Sequence, residues 1–269
     1  ILYYPLINLV QDKLVSMKNL VNVILLCFSL CSYADPPIIA VASNLTAPMT
    51  EIVRQYQAET GIEFRLTFGS SGNLARKIVQ GAPYELFISA STEYIEFLFN
   101  QGVISINGWE FASGPVGIFV PGDSTLFANA NLQTIIMALR YQSYRKIALA
   151  NPEHAPYGKA AMEALQSGGV WTMEKSRTLL AENVAQVMTF ALSGNTDLAI
   201  IPYSFMKLDN MKDRGVFLAF PDDWYTPVMQ YVVLLQNATP ATHDFERFLA
   251  SDKVRQILDD YGYATPELQ

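Results

Sequence analysis

The chain has 269 residues, 51% of them hydrophobic and 16% charged, which excludes a disordered polypeptide and suffices for one large or two modest domains. A formal net charge of −7 with no basic stripe argues against nucleic acid as a partner. The same negative balance repels anions, so any anion site has to work through local dipoles.

Near the start stand the three parts of a secretory signal peptide: Met17-Lys18-Asn19, an apolar run over 20–30, and Ser32-Tyr33-Ala34. Cleavage is expected after Ala34, and residues 1–16 read as sequence upstream of a start at Met17. The apolar run is too short to span a bilayer. A lipoprotein site at Cys27 or Cys31 is disfavoured by the bulky Leu26 and Leu30. Both cysteines fall in this leader, so no disulfide is available from Asp35 onward, which suits the periplasm of a Gram-negative bacterium.

Beyond the leader, the apolar run 38–42 predicts a buried strand. It ends at Ser43-Asn44, two good helix caps, and Leu45, Met49, Ile52, Val53 and Tyr56 then repeat at helical spacing, with Pro48 in the first turn and Gly61 closing the helix. Apolar residues at 62, 64, 66 and 68 predict a strand that runs into Gly69-Ser70-Ser71-Gly72, and Leu74, Ile78 and Val79 before Gly81 predict a short helix. A strand over 84–89 and a helix through Ile95, Leu98 and Phe99 follow. Ala112-Ser113-Gly114-Pro115 reads as a turn-rich link. After it come a strand over 116–120, a helix over 132–139, a strand over 146–150 and a helix through Met162 and Leu165. Ala181-Glu182-Asn183-Val184 opens another helix running to Leu192. Strands over 198–201, 216–220 and 231–235 precede two short closing helices. This alternation predicts two α/β units with largely parallel sheets, the last helices returning to the first unit.

A helix that leaves a Gly/Ser turn offers unpaired backbone N–H groups, the positive end of a dipole and serine hydroxyls, together a receptor for a small anion. Taken alone, the turn is better read as an ordinary N-cap. Arg76 lies beyond the first turn and reads as a surface residue. His154, with only the distant His243 as companion, reads as a structural hydrogen bonder, not a metal ligand. Trp109, Trp171 and Trp224 read as core or lip residues, and the glycosylation patterns at Asn44 and Asn237 as chance matches.

Several motifs together carry a resemblance. They are Ala40-Val41-Ala42-Ser43-Asn44-Leu45, Phe68-Gly69-Ser70-Ser71-Gly72-Asn73-Leu74-Ala75 and Gly81-Ala82-Pro83-Tyr84-Glu85-Leu86-Phe87. With them go Asn151-Pro152-Glu153-His154-Ala155-Pro156-Tyr157-Gly158, Glu182-Asn183-Val184-Ala185-Gln186 and Asp197-Leu198-Ala199-Ile200-Ile201. In this order they resemble the periplasmic molybdate-binding proteins of ABC importers. The resemblance implies an α/β, two-lobed, type II-like periplasmic binding protein, each lobe a mainly parallel sheet flanked by helices, with the ligand in the hinge cleft. Its lobes would be 35–112 plus 222–269, and 113–221. Ser43 and Ser71 match the two serines that hold the oxyanion from the first lobe. Tyr157 and Val184 match backbone N–H donors from the second. Where some members place a tyrosine hydroxyl this chain has Pro202, so Tyr203, one residue on, is the candidate fifth contact. The resemblance further implies a monomer without catalytic residues, cofactor or bound metal cation. Such a protein takes molybdate or tungstate and hands it to a membrane permease with ATPase subunits.

Molybdate at neutral pH is a dianion with acceptor oxygens and no proton to give, so its site needs only donors. Hydrogen phosphate would also need a carboxylate to take its proton, and none lies inside the serine turns. Sulfate makes the same demand at smaller radius and remains an alternative, with organic anions and ferric complexes behind it. An exported serine hydrolase using Ser70 or Ser71 is the rival from another class, although Gly69-Ser70-Ser71-Gly72 departs from the Gly-x-Ser-x-Gly elbow.

Overall fold

Two five-stranded sheets carry the fold in the computed structural model, which describes residues 35–105, 108–171 and 176–266. The expected leader, 1–34, lies outside the described residues. In chain order the elements are β1 (Ile38–Ala42), α1 (Thr46–Thr60), β2 (Arg65–Gly69), α2 (Ser71–Val79), β3 (Tyr84–Ser89), α3 (Thr92–Asn100), β4 (Trp109–Ser113) and β5 (Val116–Pro121). Next come α4 (Leu132–Arg140), β6 (Ile147–Ala150), α5 (Pro156–Ser167), β7 (Thr178–Ala181), α6 (Val184–Leu192) and β8 (Leu198–Pro202). The last are β9 (Gly215–Ala219), β10 (Met229–Leu234), α7 (Pro240–Leu249) and α8 (Asp252–Asp260).

The first sheet has the order β2-β1-β3-β10-β4 and the second β7-β6-β8-β5-β9, so the architecture is the expected two-lobed one with a sheet in each lobe. The sheets are mixed, where mainly parallel ones were expected. β1 pairs in parallel with β2 and β3, and β6 with β7 and β8, while β10 and β5 are antiparallel to both their neighbours. The physical reason is connectivity. A helical crossover returns the chain parallel, but β5 and β10 each arrive from the other sheet and need no such crossover.

Local chemistry explains most boundaries. Met49, Ile52, Val53 and Tyr56 form the buried stripe of α1, and Gly61, at φ 74°, ends it in the left-handed conformation. Ser43 and Asn44 do not cap α1 as expected; they enter a single 3-10 turn, Ser43–Leu45. Asn131 and Thr134 form a capping box on α4, and Pro156 opens α5 at its first turn. Leu86 and Ile88 bury one face of β3 against α1, α7 and α8, and Phe87 buries the other against α2 and α3. Around the second sheet Ile118, Leu149 and Ile200 anchor one continuous core.

Register places the functional loops. Ala42 pairs with Gly69, so Ser43 and Ser70 emerge together at the carboxyl ends of β1 and β2. In the second sheet Ala150 pairs with Ala181, which brings the loops before α5 and α6 to one edge in the same way. The crevice outside the carboxyl ends of parallel strands is where open α/β sheets bind ligands.

Candidate functional site

These four strand ends face one another across a small chamber. Its lining includes Ser43, Asn44, Ser70 and Ser71 from the first sheet's loops and Ala155, Pro156, Tyr157, Asn183 and Val184 from the second's. Four of the five residues expected from the sequence, Ser43, Ser71, Tyr157 and Val184, therefore meet in one place.

Each is positioned by a local rule. Ser71 is the first residue of α2 and fully buried, and its Oγ accepts the Ala90 N–H at 2.9 Å. With that lone pair occupied, the hydroxyl proton is free to be donated. Tyr157 follows Pro156 in the first turn of α5, where backbone N–H groups have no carbonyl four residues back. A side chain at Gly158 would collide with the Ala150 carbonyl, so glycine lets this helix start sit directly on the end of β6. Val184 begins α6. The Asn183 side chain caps Ala185 N–H at 3.0 Å and Gln186 N–H at 3.2 Å, which leaves the Val184 N–H outside the cap. Three helix starts thus turn toward the chamber, and no acidic or basic side chain lines it.

Tyr203, the expected fifth contact, does not line the chamber. Its N–H donates to the Pro115 carbonyl at 3.0 Å, and its ring packs on Phe217 with centroids 5.3 Å apart and lies against Gly262. Pro202 ends β8 paired with Val116, so the following turn carries the Tyr203 ring away from the chamber. The Tyr157 hydroxyl also points away, toward the Gly114 carbonyl at 3.4 Å, so only the backbone of Tyr157 is offered to a ligand.

Behind the chamber lies a buried network that the sequence did not reveal. Asn44 Nδ2 donates to Gln230 Oε1 and to the Tyr263 hydroxyl, each at 3.0 Å. The Asn44 carbonyl accepts from Tyr263 Oη at 2.8 Å and from Ser204 Oγ at 3.2 Å. Burial pushes the Tyr263 hydroxyl up to about 12 and that of Tyr157 well above its ordinary value, so both are neutral donors at physiological pH. The bonding of Asn44 also removes it as a glycosylation acceptor.

At the rim, Ser70 Oγ stands 3.1 Å from His154 Nδ1, and His154 Nε2 is 3.8 Å from Glu182 Oε2. The row has the residue types of a hydrolytic triad, but 3.8 Å is no hydrogen bond, and Glu182 Oε2 accepts instead from Asn73 Nδ2 at 2.7 Å. Arg76 is exposed and donates to Asn73. Among the described residues no group of three or more His, Cys, Asp or Glu side chains could hold a metal ion, and no helix is long and apolar enough to cross a membrane. Two larger cavities, about 500 and 640 Å³, do not offer converging donors. The first is chiefly apolar, and the second sets Glu93, Glu110, Glu153 and Glu163 against the single cation Lys159, a balance that disfavours an anion.

The chain is 29% identical over 228 residues to the molybdate-binding protein ModA of Azotobacter vinelandii, covering 84% of this chain and 88% of that protein. Against ModA of Rhodobacter capsulatus it is 28% identical over 235 residues, covering 86% and 89%. The solved Azotobacter vinelandii periplasmic molybdate-binding protein superposes with a TM-score of 0.78 at 25% identity, over 86% of this chain and 100% of that one. The sulfate-binding protein SubI of Mycobacterium tuberculosis shares the fold, with a TM-score of 0.69 at 14% identity over 86% of this chain and 87% of that one. The profile of bacterial extracellular solute-binding proteins matches residues 38–264, and the chain belongs to that family.

Proposed function

We propose that the chamber binds molybdate, and tungstate with it, and that the chain is the periplasmic receptor that delivers this oxyanion to an ABC importer. The observation that carries the reading is the convergence of uncharged donors from both lobes on a chamber lined by no charged side chain. Ser43 and Ser71 donate hydroxyl and backbone N–H groups from one lobe, and Tyr157 and Val184 donate backbone N–H groups from the other. Hydrogen bonds to a charged acceptor contribute about 1.5–3 kcal/mol each, so a handful offsets dehydration of the ion. Without a carboxylate in the lining, hydrogen phosphate finds no acceptor for its proton. The names of the ModA relatives support molybdate, while the sulfate-binding neighbour shares only the fold.

The lobes are 35–112 plus 222–269, and 113–221, a division supported by which strands enter which sheet. The ion binds one lobe, and contacts from the other favour closure by the difference in affinity between the two states. The segment from Met17 to Ala34 directs export and is cleaved after Ala34, with 1–16 upstream of the start. The mature protein is a monomer that performs no chemistry and needs no cofactor; ATP hydrolysis belongs to its transporter partners. Calorimetric titration with molybdate, tungstate, sulfate and phosphate tests the reading. Tight binding of the first two is expected, and tighter binding of sulfate or phosphate refutes it.

A further inference from the structure

We propose that Asn73, His154 and Glu182 form a clasp across the rim of the chamber that sets the residence time of the bound oxyanion without touching it. This rests on the reading of the chamber as an oxyanion site. None of the three residues lines the chamber, yet their neighbours Gly72, Ala155 and Asn183 are at its edge or in its wall. Asn73 belongs to α2 beside the first sheet, whereas His154 and Glu182 stand in the loops after β6 and β7 of the second.

Three bonds cross the gap. The Gly72 N–H donates to the His154 carbonyl at 3.0 Å, Ser70 Oγ meets His154 Nδ1 at 3.1 Å, and Asn73 Nδ2 donates to the Glu182 carboxylate at 2.7 Å. The approach is close enough that a Cβ on Gly72 would lie 2.8 Å from the His154 carbonyl oxygen and 2.8 Å from the Tyr94 hydroxyl. Arg76, one turn along α2, donates to the Asn73 side chain and fixes its amide with the NH2 toward Glu182. The Lys159–Glu93 pair also crosses, at 3.4 Å, and its side chains, like that of Glu182, are more than half exposed.

The kinetic consequence follows from where these bonds lie. The rims have to part before the ion can leave, so clasp bonds broken on opening slow dissociation. Association begins with the rims apart and does not use them. Asn73 and Glu182 are therefore positioning residues, and their removal is read in the off-rate and not in the on-rate.

Stopped-flow kinetics with molybdate on the whole protein test this. Asn73→Ala and Glu182→Ala are expected to raise koff about fivefold with kon within about twofold of the parent, and the double variant to be no faster than either single one. Glu182→Gln keeps an acceptor oxygen and should restore most of the residence time. Hydrogen exchange at the Gly72 amide, measured with molybdate bound, should quicken in the two alanine variants. An unchanged koff, a loss confined to kon, or effects that simply add would overturn the proposal. Should the parent bind no molybdate at all, the binding reading fails and the clasp, defined by the residence time of that ion, falls with it; a parent that binds molybdate while the variants leave koff unchanged overturns the clasp alone.

Discussion

Ser71 illustrates how a neutral side chain can be aimed. Its oxygen is occupied by the Ala90 N–H, so its proton is the part presented to a ligand. Ser71→Ala removes a charge-assisted bond and leaves the Ala90 amide without its partner. Molybdate affinity should fall about tenfold or more by calorimetry, and a value within about twofold of the parent would place the ion elsewhere. Tyr203→Phe supplies the contrast. With its ring on Phe217 and outside the chamber lining, its loss of a hydroxyl should leave affinity within about twofold. Ser43, Ser71, Tyr157 and Val184 were named through the family resemblance, while local signals marked only the strand ends and helix starts on which they sit. The bonding of Asn44, Ser204 and Tyr263 was not legible, because it joins positions 160 and 219 residues apart and nothing local marks either end. Tyr203 lies apart from the four chamber residues, one residue past Pro202, with its ring on Phe217.

All six interior strands were readable, as were the edge strands β2 and β9. β1 and β8 appeared as uninterrupted apolar runs and β3 as one interrupted by Glu85, and the structure places all three inside their sheets. β4 and β7 are edge strands, partly exposed, with the sequences WEFAS and TLLA, and they were not read as strands at all. Helices gave stronger signals through caps and stops, and α6 allows a test that uses this grammar. Proline is welcome at the first position of a helix, and Val184 holds that position after Asn183 in extended backbone, φ −160° and ψ 171°. Val184→Pro should therefore delete one backbone donor while the helix persists, costing about 1 kcal/mol of buried side-chain packing. Molybdate affinity is expected to drop about tenfold with a melting temperature near the parent's. Retained affinity in a folded variant would remove Val184 from the site.

Across the whole molecule, the network behind the chamber ties both lobes to the ligand loop. Gln230 and Tyr263 from the first lobe and Ser204 from the second all converge on Asn44, the residue after Ser43. This network sets an alkaline limit to stability. Tyr263 ionises at about 12 in the fold because burial disfavours its charged form, against an ordinary 10.0. A group whose folded pKa is raised contributes stability that is complete below its unfolded pKa and is lost as pH climbs through the folded one. The loss therefore falls between pH 10 and about 12 and amounts to about 3 kcal/mol for this hydroxyl. Tyr56, Tyr94, Tyr157, Tyr225, Tyr231 and Tyr261 are raised as well, each mainly by burial, so the protein as a whole should lose more than this. Comparison with Tyr263→Phe isolates the one group. At neutral pH the variant should be less stable, having lost the bonds to Asn44, and urea unfolding should show the gap to the parent constant up to about pH 10. Above that the parent alone has this hydroxyl to ionise, and the gap should close toward pH 12. A gap that stays constant through that range would mean that the hydroxyl is not held neutral by the fold, and that Tyr263 is not buried between the lobes when the protein is in solution.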